Sequence, residues 1–404
     1  MHPIRAFVSL AASITFVVAV ASPALNGLPF DPGTAYAQAK KNPSKGKQSP
    51  KEQPRTPFTL EEQNSAVIAG IADARAWGDS ADFQRLLPTV HGPWLALSGG
   101  GADGAYGAGL LTGWSQSGTR PEFAVVTGVS IGALIAPYAF LGSRYDEALR
   151  ENFAEITAAD VFEDRLTPES LFDSWPLKRL IEKRLTADML AAIAAEHAKG
   201  RRLFVVTTNQ DAGRRVVWNM GAIAARGDEK ALKLFRDVLL ASSSIPGFFQ
   251  PVLIDVESNG KTFQEMHLDG TVTAPFFILP ETMLAPGAAR LPTNQVYVIA
   301  NSKLTPEFSV TERKINSILA RTIGVALSAA LKAELLLMTA NAERLGLHFK
   351  VAQVPEAFNH PNRGLFDHAY MDALFKFGAD QAMKGAAFAN GPTGWVERRS
   401  DNPQ

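Results

Sequence analysis

The residue best suited to covalent chemistry is a serine held between two glycines. Residues 128–132 read Gly-Val-Ser-Ile-Gly, directly after the apolar run 123–126 and before a helical pattern. A turn from strand to helix strains the serine backbone, exposes its hydroxyl and places helix N–H groups beside an anionic intermediate. Gly128 and Gly132 keep side chains off this tight turn. The segment therefore predicts a nucleophile elbow with Ser130 as the nucleophile.

A second glycine-rich segment also lies between a predicted strand and a predicted helix. Residues 98–104 read Ser-Gly-Gly-Gly-Ala-Asp-Gly. Three consecutive glycines, Gly99, Gly100 and Gly101, let backbone N–H groups approach a substrate oxygen with no Cβ in the way. An oxyanion hole requires such an approach. The segment therefore predicts an oxyanion hole.

The same glycines allow a different interpretation, because Gly99, Gly101 and Gly104 have the spacing of a dinucleotide-binding fingerprint. That fingerprint needs an acidic residue at the far end of the next strand, where it meets the ribose. Glu122 stands instead at the start of that strand. The nucleotide interpretation is therefore the weaker one.

The candidate base is an aspartate at the end of a predicted strand, Asp269, which is followed by Gly270. An aspartate in that place can accept a proton from a nearby serine, although Asp-Gly pairs are also common in turns. His267 shares its strand face, and we interpret it as a structural partner rather than the base. A Ser-His-Asp triad stays open, because five histidines follow Ser130. They are His197, His267, His348, His360 and His368.

Four segments in this order resemble the patatin-like phospholipase family. They are residues 98–104, 128–132, 242–252 (Ser-Ser-Ser-Ile-Pro-Gly-Phe-Phe-Gln-Pro-Val) and 269–270, and the resemblance spans about 94–300. It implies a Ser–Asp dyad without histidine, in which Ser130 is acylated and Asp269 is the general base. It also implies that N–H groups of Gly99 to Gly101 hold the oxyanion, with no metal or organic cofactor. The family hydrolyses ester bonds of lipids, often phospholipids.

The sequence departs from the family pattern at two positions. Asp103 stands where the family usually has arginine or lysine, and Thr271 stands where it usually has glycine or alanine. An anion beside an oxyanion hole opposes the developing charge, so we expect Asp103 to cap the helix that follows. The departure at Asp103 keeps one alternative open, a catalytically weak lipid-binding protein of the same fold. The histidines after Ser130 keep another open, a Ser-His-Asp esterase for small soluble esters.

The elements that must position these residues alternate between strands and helices. This order predicts an α/β fold, a three-layer sandwich with a largely parallel central sheet, and the resemblance adds a patatin-like, modified α/β-hydrolase-like topology. Asp228 is a plausible N-cap for residues 229–242. The predicted strands are 94–97, 123–126, 202–208, 214–218, 251–256, 262–268 and 296–300. The predicted helices are 59–77, 105–115, 133–141, 229–242 and 311–345, the last broken at Gly324.

The amino-acid composition argues against some classes of protein and some kinds of chemistry. Forty basic and 40 acidic residues give no net charge, which argues against a nucleic-acid partner. The absence of cysteine excludes disulfides and a thiol nucleophile. We expect a lipid or membrane-surface substrate, and nothing in the sequence identifies a protein partner.

The chain divides into four predicted segments. They are a signal peptide (1–37), a disordered Lys/Pro-rich linker (38–58), a patatin-like catalytic domain (59–390) and a C-terminal tail (391–404). Arg5, the apolar run 6–21 and the Ala-Tyr-Ala of 35–37 have the pattern of a cleaved export signal. An uncleaved membrane anchor is the alternative. No later stretch reads as long and apolar enough to cross a membrane. We therefore expect an exported protein, periplasmic, in the cell envelope or secreted.

Overall fold

The computed structural model describes residues 54–285, 290–305 and 307–393. The predicted signal peptide, most of the linker and the tail from residue 394 lie outside the described residues, and the predicted domain bounds stay predictions. The described end of the linker contacts the domain. Arg55 pairs with Asp211 (Nη2 to Oδ2, 2.7 Å), and the Phe58 ring stacks on Phe263 with ring centroids 4.4 Å apart.

Nine strands form one mixed sheet in the described part of the chain. Along its main path the order is β1-β5-β4-β3-β2-β8-β9, and β7 pairs with β4 and with β6. The five strands β4-β3-β2-β8-β9 are mutually parallel, whereas β1, β5, β6 and β7 run antiparallel to their partners. The strands are β1 Arg75–Trp77, β2 Trp94–Leu97, β3 Val125–Val129, β4 Arg202–Asn209, β5 Arg214–Asn219, β6 Val252–Ser258, β7 Lys261–Asp269, β8 Gln295–Ala300 and β9 His348–Gln353.

Helices cover both faces of this sheet and produce the predicted three layers. One apolar core packs α2, α3, α7 and α9 on one face, and a second core packs the end of α10 on the other. The helices are α1 Leu60–Asn64, α2 Gly104–Gln116, α3 Ile131–Leu141, α4 Asp146–Phe153, α5 Ala158–Val161, α6 Trp175–Arg184, α7 Ala187–Ala198, α8 Met220–Arg226, α9 Glu229–Ser242, α10 Ile315–Ala342 and α11 His368–Met383.

The predicted helix over residues 59–77 is wrong. Only Leu60–Asn64 are α-helical, and the chain then turns at Gly70 and Asp73, which both have positive φ angles (70° and 54°). Arg75–Trp77 continue as β1, paired antiparallel with β5. Of the apolar residues at helical spacing, Ile68 and Ile71 pack against the core from this irregular segment, whereas Leu60 and Val67 are exposed.

The prediction for α10 needs two corrections. The helix passes through Gly324 without a break. It is also the one helix among the described residues that is long and apolar enough, by length and composition, to cross a membrane (mean hydropathy 1.6), contrary to our expectation. Its last turns nevertheless belong to the core, because Leu331, Leu335 and Met338 are buried.

Candidate active site

The predicted site residues meet where the parallel strands end. Residue 98 follows β2 and Ser130 follows β3, so their loops emerge from the same edge of the sheet. Asp269 is the last residue of β7, and its register partner on β4 is Thr207. Ligand sites of open α/β sheets lie at this carboxyl edge. Segments more than a hundred residues apart therefore converge on one place.

The turn at Ser130 has the strained backbone of a nucleophile elbow. Ser130 has φ 56° and ψ −126°, a conformation that few residues other than glycine adopt. The helix α3 starts at the next residue. A Cβ on Gly128 would lie 2.4 Å from the carbonyl oxygen of Gly132, so the turn has no room for a side chain there. Such strain is retained where it orients a functional group.

Ser130 and Asp269 are joined by a hydrogen bond. The Ser130 hydroxyl donates to Asp269 Oδ2 at 2.7 Å, and Asp269 is completely buried. Burial raises the pKa of Asp269 to about 6, although hydrogen bonds from Thr271 and Ser130 oppose this shift. A carboxylate with such a pKa is ionised at neutral pH and is more basic than an exposed aspartate.

The other oxygen of Asp269 is held by Thr271, the second departure from the family pattern. The Thr271 hydroxyl and its backbone N–H both donate to Asp269 Oδ1, at 2.6 and 2.9 Å. A Cβ on Gly99 would lie 2.2 Å from the Thr271 methyl, so the threonine also packs against the glycine loop. The sequence suggested only that a small residue is tolerated here. The structure gives Thr271 a direct contact with the candidate base.

Two serines at the end of α9 hold the backbone of the elbow. Ser242 Oγ accepts from the Ser130 N–H at 3.0 Å and donates to the Val206 carbonyl at 2.7 Å. Ser243 Oγ donates to the Ser130 carbonyl at 3.4 Å. The serine run before an Ile-Pro turn was recognised in the sequence, but its contacts with the elbow were not predicted.

The glycine loop presents two of the three predicted oxyanion donors. Gly99 is a correction, because its N–H donates to the Pro275 carbonyl (3.1 Å) and is already occupied. Within the described residues, the N–H groups of Gly100 and Gly101 have no partner, and both glycines line a cavity with Ser130. Gly104, the last glycine of the motif, begins α2.

Asn301 fixes the glycine loop and was missed by sequence reasoning. Its side-chain amide donates to the Ser98 carbonyl (2.9 Å) and its Oδ1 accepts from the Gly107 N–H (3.1 Å). Its carbonyl oxygen would lie 1.8 Å from a Cβ on Gly100, so only glycine fits. A polar residue directly after the apolar strand 296–300 was the available signal.

Asp103 occupies the N-cap position of α2 but does not cap it. Its side chain makes no hydrogen bond to the helix N–H groups and instead accepts from the Tyr370 hydroxyl (2.7 Å). Burial raises the pKa of Asp103 to about 6, against the effect of the Tyr370 hydrogen bond. The expected helix cap is therefore wrong, and the carboxylate lies in the wall of the site cavity.

His267 is fully buried and engaged on both ring nitrogens. Thr207 Oγ1 lies 2.9 Å from His267 Nδ1 and accepts from Trp218 Nε1, so the threonine hydroxyl is free to donate to the ring. His267 Nε2 lies 3.1 Å from Glu265 Oε2. Burial lowers the pKa of His267. With both ring nitrogens engaged, His267 is a structural partner of its strand.

The remaining alternatives find little geometric support. Among the described residues, the Ser130 hydroxyl has Asp269 and no histidine as its hydrogen-bond partner. Glu122, which a dinucleotide site would need beside the glycine loop, lies before β3 and pairs with Arg201. In the same part of the chain, no group of three or more histidine and acidic side chains has the arrangement of a metal site.

Two cavities meet at Ser130. The first, of about 70 Å³, is narrow and almost wholly apolar, and it runs between α3, α4 and α6. Its walls include Leu134, Phe153, Leu177, Leu180 and Ile181. The second, of about 400 Å³, is lined by the glycine loop, Thr271, aromatic side chains and the pocket face of α10. The site therefore offers apolar space on both sides of the serine.

Of the comparisons with known proteins, the family model agrees with this geometry. The model of the family described as patatin-like phospholipase matches residues 95–280. A search of curated proteins found no match. The crystal structure of VipD from Legionella pneumophila is similar at 12% identity and a TM-score of 0.31, over 73% of this chain and 67% of that chain. Over residues 95–280 the chain therefore resembles the patatin-like phospholipase family, a family of lipid acyl hydrolases.

Proposed function

We propose that the chain is an exported serine hydrolase that cleaves acyl ester bonds of phospholipids through a Ser130–Asp269 dyad. The observation that carries the proposal is the 2.7 Å hydrogen bond from the Ser130 hydroxyl to a buried carboxylate. An ionised carboxylate with a raised pKa is a suitable acceptor for the serine proton. Export is inferred from residues 1–37 alone.

The first half-reaction forms an acyl-enzyme. Asp269 Oδ2 takes the Ser130 proton while Oγ attacks the ester carbonyl carbon, and the carbonyl oxygen becomes an oxyanion. The N–H groups of Gly100 and Gly101 are the candidate donors to that oxyanion. When the tetrahedral intermediate collapses, the C–O bond to the alcohol breaks and protonated Asp269 gives the alcohol its proton.

The second half-reaction releases the acid. Asp269 takes a proton from water, the hydroxide attacks the acyl carbonyl, and the second tetrahedral intermediate expels Ser130 Oγ, which recovers its proton from Asp269. Thr271 holds Asp269 Oδ1 throughout, so that Oδ2 faces the serine. The cycle consumes one water and regenerates both side chains.

The two cavities favour a lipid over a small ester. The narrow apolar cavity between α3 and α6, of about 70 Å³, has room for only a few carbon atoms of an acyl chain, and the wider cavity of about 400 Å³ is left for the rest of the lipid. Apolar pocket walls with few polar groups are typical of sites for hydrophobic ligands. Phospholipid is the proposed class because phospholipids are frequent substrates of the family.

The test compares single substitutions at equal folded concentration. We expect Ser130→Ala to abolish phospholipid hydrolysis and labelling by a fluorophosphonate, and Asp269→Asn to lose nearly as much turnover. Histidine substitutions at positions 197, 267, 348, 360 and 368 should each retain more turnover than Asp269→Asn. Circular dichroism melting verifies folding of every variant.

Two outcomes would replace the proposal. If one histidine variant is as inactive as Ser130→Ala while Asp269→Asn keeps substantial turnover, the triad esterase replaces the dyad enzyme. If the unaltered chain binds phospholipid vesicles but neither turns over lipid nor reacts with the fluorophosphonate, the weak lipid-binding protein is correct. The position of Asp103 beside the glycine loop is the observation that keeps this second candidate.

A further inference from the structure

Exposed apolar side chains recur along the outward face of α10. Ile315 is 80% exposed, Ile318 48%, Val325 51% and Leu336 40%. Ile318, Val325 and Leu336 are seven and eleven positions apart, close to two and three helical turns, and therefore lie on one line along the helix. Leu331, Leu335 and Met338 face the opposite way into the core. We call the line of exposed residues the α10 stripe.

Lysine and arginine side chains lie along one side of the α10 stripe. Lys314, Arg321 and Lys332 each stand four residues before Ile318, Val325 and Leu336 respectively, and residues four apart are surface neighbours on a helix. The helix contains a single acidic residue. Glu334 lies away from the stripe, near Arg215 and Glu281, and burial raises its pKa.

The stripe adjoins the candidate active site. Ile323, Leu327 and Leu331, on the inner side of the same helix, line the wider cavity that contains Ser130. Upstream, Phe308 and Val310 are 93% and 84% exposed, and the Arg321 guanidinium donates to the Glu307 carbonyl (2.6 Å), which holds this segment along the helix. The helix that carries the stripe on its outward side therefore forms part of the cavity wall with its inner side.

We propose that the α10 stripe docks on the surface of an anionic phospholipid bilayer, with α10 lying in the plane of the interface. An apolar helix face flanked by lysine and arginine is the pattern of an interfacial helix. The cations favour an anionic bilayer over a second copy of this chain, because lipid phosphates complement them, whereas α10 of a second copy has no acidic side chain beside its stripe. The buried last turns of the helix exclude a spanning position for α10 in this fold.

The consequence for catalysis deepens the proposed function and rests on it. Docking through α10 brings the wider cavity to the lipid surface, so a phospholipid can move from the bilayer towards Ser130 along apolar side chains. Docking itself is independent of hydrolysis. The two parts can therefore be tested separately.

The first experiment uses the absence of cysteine from the chain. In the full chain carrying Ser130→Ala, Val325→Cys is labelled with an environment-sensitive fluorophore. Leu60→Cys on α1 is the control, at a position that is 70% exposed against 51% for Val325. We expect a blue shift and quenching by tail-labelled lipids at position 325, but not at 60. The vesicles contain about 30% phosphatidylglycerol in phosphatidylcholine, and binding should weaken in pure phosphatidylcholine and in high salt.

The second experiment removes the stripe. Ile318→Ser/Val325→Ser/Leu336→Ser should lower partition into the anionic vesicles roughly tenfold or more, because three apolar side chains no longer leave water. Leu60→Ser/Val67→Ser removes comparable exposed apolar residues elsewhere and should leave partition unchanged. Turnover of a water-soluble short-chain ester by the same variants with Ser130 restored separates docking from chemistry.

Several results would overturn the proposal. They are a label at position 325 that stays in water while the chain is bound to vesicles, equal binding to neutral and anionic vesicles, and a blue shift that rises with protein concentration in the absence of lipid. The last result would assign the stripe to a second copy of the chain. Failure of the proposed function looks different, because the unaltered chain would then fail on the soluble ester while the label at position 325 still reports docking.

Discussion

At the scale of single residues, Asp269 combines complete burial with hydrogen bonds on both oxygens. Burial raises its pKa from 3.8 to about 6. The folded protein therefore carries the cost of a buried charge above about pH 6, and this cost disappears when the carboxyl is protonated near pH 4. A buried, ionised carboxylate of this kind reduces the stability of the fold that holds it.

Asp269→Asn should consequently stabilise the protein while it removes activity. We expect about 3 kcal/mol of additional unfolding free energy at pH 7, from a pKa difference of roughly two units, and no gain near pH 4. Urea unfolding at the two pH values measures the change in unfolding free energy. An equal change at both pH values would show that it comes from a lost or gained hydrogen bond and not from the charge of Asp269.

Thr271 offers a second prediction at this scale. Because its hydroxyl stabilises ionised Asp269, Thr271→Val should raise the pKa of the base, move the acidic limb of the kcat/KM profile to higher pH and lower turnover at pH 7 roughly tenfold. The valine keeps the methyl group that packs on Gly99. Thr271→Ser keeps the hydroxyl and should retain the original profile. An unchanged profile in Thr271→Val would limit the threonine to packing.

The sequence indicated the residues that carry local signals but not their long-range contacts. Ser130 and Asp269 were recognisable because elbow and strand-end patterns are short and local. The contact of Ser242 with Ser130 joins residues 112 positions apart, and that of Asn301 with Ser98 joins residues 203 apart. Such contacts depend on sheet order, which no local pattern determines.

At the scale of elements, the predictions succeeded where the sequence has a clear helix N-cap or a regular spacing of apolar residues. Glu229–Ser242 forms with the predicted bounds, and the Asp228 side chain accepts from the Ala231 N–H as an N-cap (2.8 Å). The failure at 59–77 has a physical reason. Ile68 and Ile71 have nearly helical spacing but pack against the core from an irregular segment. The spacing alone therefore did not distinguish this segment from a helix.

The helix α6, which forms part of the wall of the narrow cavity, allows a prediction about the acyl-chain length of the substrate. Leu180, on α6, is only partly buried and forms part of the wall. Leu180→Trp should fill part of the cavity and lower turnover of long-chain esters roughly tenfold relative to short-chain esters. Leu180→Ala, which enlarges the same wall, should keep long-chain turnover. Equal losses for short and long chains in the tryptophan variant would place the acyl chain elsewhere.

At the scale of the whole molecule, a buried ion pair joins parts of the sheet that are distant in sequence. Arg75 on β1 forms a bidentate pair with Glu265 on β7 and also donates to the Ala66 carbonyl (Nη2 to O, 3.0 Å). Burial opposes ionisation of Glu265, but hydrogen bonds with His267 and Arg75 outweigh it and lower its pKa to about 2. The pair thus connects the N-terminal segment and the edge strand to the strand that ends in Asp269.

Removing one partner of this pair should destabilise the whole domain without changing ester turnover per folded molecule. Arg75→Met leaves the Glu265 carboxylate buried and without its cation, which typically costs about 3–5 kcal/mol. Because the folded pKa of Glu265 is depressed, the stabilisation by the pair is complete above about pH 4.5 and is lost as the pH falls towards 2. The deficit of Arg75→Met should therefore be large at pH 7 and should shrink in acid.

The double variant Arg75→Met/Glu265→Met is the necessary control, since it removes both charges together. It should recover most of the lost stability, because well-packed apolar residues often replace a buried ion pair at little cost. Urea unfolding at pH 7 and near pH 3 measures all three proteins, and ester turnover per folded molecule should stay the same. If the double variant is as unstable as the single one, the hydrogen bond of Arg75 to Ala66, and not the paired charge, holds the edge of the sheet in place.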